Sequence, residues 1–72
     1  MGVDGDDYRV RLGRLIRQAR ESHGWSQHEL ARRMDAGVTA DSQVSRWERG
    51  VQMPNPDHFA ELERVLGRQL IP

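Results

Sequence analysis

WSQHELARRMDAGVTADSQVSRWERG, residues 25–50, reads as two short amphipathic helices joined by a turn. Ser26 and Glu29 form a capping box, and Trp25 and Leu30 stand where a hydrophobic staple clamps the start of a helix. Leu30, Ala31 and Met34 then share one inward side. A free tryptophan face can stack on a base, but at a staple position it belongs to the core. Between Met34 and Val44, DAGVTADSQ combines glycine with small polar residues, which predicts a turn and a new helix start near Thr39 or Asp41. That helix should stop at Gly50. Along it Ala40, Val44 and Trp47 fall on one side, and Ser42, Ser45, Arg46 and Arg49 fall on the other. One narrow edge is buried, and a short hydrogen-bonding face is left outward.

Moving outward from this stretch, Tyr8, Leu12, Leu15, Ile16 and Ala19 recur at helical spacing and predict a first helix to about Ser22. Asp6 or Asp7 caps its start, and Gly24 ends it by adopting the left-handed conformation. Arg9, Arg17 and Arg20 lie on its outer face. On the other flank VQMPNPD is a loop with two prolines. A fourth helix follows, with Asn55 as N-cap, Pro56 first, Phe59, Leu62, Val65 and Leu66 inward, and Gly67 at its end. The pattern is all-α, with an acidic flexible N-terminus over residues 1–7 and one domain over residues 8–72.

A chain of 72 residues holds a single thin core. Hydrophobic residues at 36% and charged residues at 31% describe a globular chain, with no apolar run of the ~20 residues that span a bilayer. MGVDGDD is acidic and lacks an apolar segment, so no secretory signal is expected, and cysteine is absent. A cytoplasmic location and no membrane partner follow. The formal net charge is zero, yet its layout is uneven: residues 1–7 carry −3, residues 8–49 carry +4 and residues 50–72 carry −1. The local field of the middle segment is what an anionic partner meets. All eleven basic residues are Arg, which fits a GC-rich genome first, although Arg also suits bidentate contacts with phosphate and guanine. Catalysis finds no constellation. His23, His28 and His58 lack metal-ligand spacing, and there is no cysteine nucleophile, phosphate-binding glycine loop or carboxylate pair set in a pocket. No enzyme, metal or cofactor is expected.

WSQHELARRM followed by SQVSRWERG resembles the Cro/lambda-repressor-like helix-turn-helix family, also called XRE, over about residues 8–67. The resemblance implies a compact four- to five-helix bundle whose second helix crosses the phosphate backbone and whose third enters the major groove. It implies a transcriptional regulator, expected to be a repressor, with double-stranded DNA as partner and a homodimer at least on DNA. Asp41, Ser42, Gln43 and Arg46 become candidate base contacts. Gln27 matches a residue that binds phosphate and supports the reading helix, while Arg9, Arg17, Arg32, Ser45 and Arg49 are candidate backbone contacts. Arg20 and Glu48 match an ion pair between the ends of the first and third helices. Chemically, the guanidinium of Arg46 suits guanine O6 and N7 together, where an ordinary solvated arginine is the bland alternative. Asp41 either accepts from cytosine N4 or caps the helix, and capping is favoured.

The chain departs from the family pattern in three places. Residues 30–44 are three longer than the common spacing, so the turn is enlarged. Residues 51–54 carry no Lys or Arg. No fifth helix follows residue 67, which predicts an exposed apolar end at Leu70 and Ile71 waiting for a protein partner. The acidic start and this apolar end also suit a helix-turn-helix domain used to bind another protein.

Overall fold

The computed structural model describes residues 8–34 and 40–71. The acidic segment with its expected cap, Asp6 or Asp7, and the expected turn with Thr39 lie outside the described residues. Four helices are formed: α1 Tyr8–Ser22, α2 Gln27–Arg33, α3 Asp41–Arg49 and α4 Pro56–Leu66, with no strand among the described residues.

The helix ends follow from local chemistry. Gly24, Gly50 and Gly67 each hold φ at +74°, where a side chain would be strained, and they stop α1, α3 and α4. Ser26 accepts from the backbone N–H of Glu29 at 3.0 Å and caps α2. The reciprocal half of the capping box is replaced: the Glu29 carboxylate takes Arg32 at 2.8 Å and Arg33 at 2.6 Å, because charged donors outcompete a backbone amide. Asn55 accepts from His58 N–H at 2.8 Å, with Pro56 in the first turn of α4. α3 starts at Asp41, as expected, but corrects the expected cap. Ala40 is the N-cap, exposed and without a side-chain cap bond, so it is not a core residue and Asp41 is not the cap.

Leu12, Ile16 and Ala19 of α1 meet Leu30, Ala31 and Met34, then Val44 and Trp47 of α3, Leu62 and Leu66 of α4, and Leu70 in one buried cluster. Leu15, Trp25, Phe59 and Val65 pack against its margin. Tyr8 is exposed rather than part of the stripe, because it is the first residue of α1 and stands beyond the core layer. Gly13 sets the closest approach: a Cβ there would come within 3.0 Å of the carbonyl oxygens of Trp47 and Glu48, so α1 and α3 touch backbone to backbone. The tail also differs from the expectation. After Gly67 the chain folds back, Leu70 is fully buried and its N–H donates to Glu63 Oε2 at 2.9 Å. In the absence of another described helix, one leucine closes that side of the core, and only Ile71, 68% exposed, remains outside. No helix among the described residues is long and apolar enough to cross a membrane.

Candidate nucleic-acid interface

Arg20, near the C-terminal end of α1, reaches Glu48 of α3 with two bonds, Nε to Oε2 at 2.6 Å and Nη2 to Oε1 at 3.0 Å. Its third nitrogen donates to the backbone oxygen of Trp25 at 2.7 Å. Gln27, the first residue of α2, donates to the same Glu48 Oε1 at 3.1 Å. The side chains of Arg20 and Glu48 are only 11% and 4% exposed, so the pair is screened little by water. The Glu48 hydrogen bond, outweighing burial, pushes the guanidinium of Arg20 above its ordinary range. One carboxylate therefore joins α1, α2 and α3 and fixes the orientation of α3.

With Val44 and Trp47 buried and Glu48 turned to Arg20 and Gln27, α3 leaves only part of its surface outward. Ser42, Arg46 and Arg49 are exposed, and Gln43 and Ser45 are half-buried, so the free face is narrower than the helical wheel suggests. Neither arginine forms a salt bridge with another described residue. The backbone of α1 at Val10 abuts Gly50, where a Cβ would lie 3.0 Å from Val10 Cα, which brings the exposed Arg9 toward the C-terminal end of α3. Arg17 is exposed and pairs with Glu21 at 3.1 Å. Arg32 is exposed and pairs with Glu29, whose hydrogen bond raises the guanidinium pKa. The structure thus draws Arg20, Gln27 and Glu48 together and sets Arg46 and Arg49 on one helix, while Arg17 and Arg32 are engaged within their own helices.

Three features carry little signal in the sequence. His28 Nδ1 lies 3.1 Å from both carboxylate oxygens of Asp41, bridging α2 and the first residue of α3. The two stand thirteen positions apart in the sequence, and neither charge pattern nor periodicity links them. Trp25 is stacked on His23, ring centroids 4.1 Å apart, with Arg33 at 4.3 Å from its ring centroid, and His23 Nε2 reaches Leu66 O at 2.9 Å. Gly13 did leave a trace: a glycine inside a helical pattern marks close packing.

A family model described as helix-turn-helix matches residues 16–71. The chain belongs to the helix-turn-helix family. Among solved structures, the transcription factor NHTF from Neisseria, described as hypothetical, is 31% identical over 97% of this chain and 82% of its own, with a TM-score of 0.79. The restriction-modification controller protein C.AhdI from Aeromonas hydrophila is 28% identical over 83% of this chain and 86% of its own, TM-score 0.72. The clp gene regulator ClgR from Corynebacterium glutamicum is 25% identical over 93% and 68%, TM-score 0.78. No curated protein matches the chain. Within this helix-turn-helix frame α2 and α3 are the paired helices, and the carboxylate of Glu48 fastens them to α1.

Proposed function

We propose that the chain is a sequence-specific regulator of transcription, acting as a repressor, that binds double-stranded DNA and reads the major groove with α3. The observation that carries this reading is the division of α3: Val44 and Trp47 are buried while Ser42, Arg46 and Arg49 of the same nine-residue helix are exposed. A helix of this size fits the major groove, and its arginine fork matches guanine O6 and N7. Arg9, Arg17, Arg32, Ser45 and Arg49 are the proposed phosphate contacts, with Gln27 supporting α3. The reading needs no cofactor, a cytoplasmic location suits it, and a homodimer on DNA is its assembly. Helix-turn-helix regulators as similar in sequence as NHTF and C.AhdI support the DNA-binding class.

Selection of bound duplexes from a random pool, followed by a salt titration on the selected site, tests the proposal. A DNA reader yields an enriched motif and a slope of log K against log salt of about −0.9 per neutralised phosphate. A domain that binds only protein, the reading favoured by the exposed Ile71 beside Arg11, Arg14, Leu15 and Gln18, yields neither.

A further inference from the structure

We infer that His28 is a specificity-setting positioning residue, which aims the carboxylate of Asp41 at the base pair facing the N-terminal end of α3 and makes that position favour cytosine. This rests on the DNA-reading function proposed above. Asp41 is not consumed in capping, because Ala40 occupies the N-cap. Its carboxylate instead sits 3.1 Å from His28 Nδ1 through either oxygen. A carboxylate only accepts here, so Nδ1 carries the hydrogen and donates. Gln27, the neighbouring residue on α2, is turned away to Glu48. Of the first two residues of α2, His28 is therefore the one that holds the start of α3. The two side chains are 70% and 57% exposed, so the contact orients a surface group and leaves the core untouched.

The chemistry sets the preference. A carboxylate beside phosphates is electrostatically unfavourable unless a donor is fixed next to it and a base donor lies ahead of it. One imidazole N–H leaves most of the carboxylate lone pairs free. In the major groove cytosine offers the N4 donor, guanine and thymine offer acceptors that a carboxylate rejects, and adenine flanks its N6 donor with the N7 acceptor. Cytosine is the base that fits.

The test measures binding of duplexes bearing each of the four base pairs at every position of the selected site, for the parent, His28→Ala, His28→Asn, Asp41→Asn and Arg46→Ala. The parent should prefer cytosine at one pair outside the one read by Arg46 by about tenfold, and His28→Ala and Asp41→Asn should each cut this to within about twofold. Preference at the Arg46 pair and the melting temperature should be unchanged in both. His28→Asn, whose Nδ2 donor stands where the imidazole Nδ1 stands, should restore most of the preference. If His28→Ala keeps the parent profile at that pair, or weakens all sequences equally, the positioning role is overturned. A parent with an Arg46-dependent preference and none for cytosine overturns this role alone. A parent with no preference at any pair overturns the DNA-reading function as well.

Discussion

Glu48 accepts from Arg20 twice and from Gln27 once, and each donor comes from a different helix. Removing it leaves a guanidinium with 11% exposure without its paired carboxylate, the situation in which breaking a buried pair costs several kcal/mol. Glu48→Ala should lose about 3 kcal/mol, against a total of about 4–11 kcal/mol for a chain of this length. Thermal melts check this, with a fall of more than about 10 °C expected. A second single-residue prediction concerns Gly13. Gly13→Ala should destabilise by about 1–3 kcal/mol although alanine is the better helix former, because the added carbon would press on the carbonyls of Trp47 and Glu48. A variant as stable as the parent would mean that α1 and α3 part easily. The sequence pointed to Arg20 and Glu48 by resemblance, but it held no clue to the Trp25 carbonyl, which takes the remaining guanidinium nitrogen. Long-range backbone acceptors leave no mark in residue types.

At the scale of elements, α3 divides its work between two neighbours, Arg46 outside and Trp47 at 1% exposure inside. Trp47→Ala should remove about 3–5 kcal/mol, much of the total stability, and lower the melting temperature sharply. Arg46→Ala should leave the melt unchanged, yet lower affinity for the selected site by about 1–3 kcal/mol and relax one base pair, expected to be G·C, with random DNA affected far less. Equal binding of the selected site by Arg46→Ala and the parent at matched salt would remove α3 as the reader. α2 supports a pH prediction. The hydrogen bond from Arg32, with Arg33 beside it, holds the Glu29 carboxyl below its usual range. A lowered folded pKa gives stability that is present above the ordinary carboxylate range and is lost as pH falls through the folded value. Melts of Glu29→Gln should therefore fall below the parent at neutral pH and converge with it in acid. Helix ends were the most legible features, because glycine, serine, asparagine and proline state their backbone geometry directly. The start of α3 near Asp41 was legible, but its cap was not: Ala40 has no capping group, and Asp41, a good capping residue, bonds to His28 instead. Leu70 was misplaced for a related reason. A short apolar tail reads as exposed until the helices show the gap it fills.

For the whole molecule, the decisive quantity is how little of a duplex one copy can hold. If α3 is the reading helix as proposed, its nine residues would cover about half a turn of DNA, and the loop over residues 51–54 adds no basic side chain. Arg17 and Arg32, two of the proposed phosphate contacts, are already paired with Glu21 and Glu29, so each would have to loosen an existing bond to reach DNA. A single copy should then bind weakly, and a two-fold dimer on a palindromic site is the arrangement that doubles both base readout and phosphate contacts. Sedimentation with a selected duplex should give two chains per DNA, with half-site centres about 34 Å apart or a multiple of that. Ile71, the most exposed of the large apolar side chains among the described residues and set beside Leu15, Arg11 and Arg14, is the proposed contact. Ile71→Glu should keep the melting temperature of the isolated chain and make binding to the full palindrome as weak as binding to a half-site. A protein that remains one chain per duplex on its preferred palindrome defeats the dimer. Cooperative pairing that survives Ile71→Glu moves the contact to another face. Arg17→Ala then serves as the gauge: it should weaken all sequences alike and make the salt slope shallower by about one unit per chain, so a dimer loses about two units where a monomer loses one.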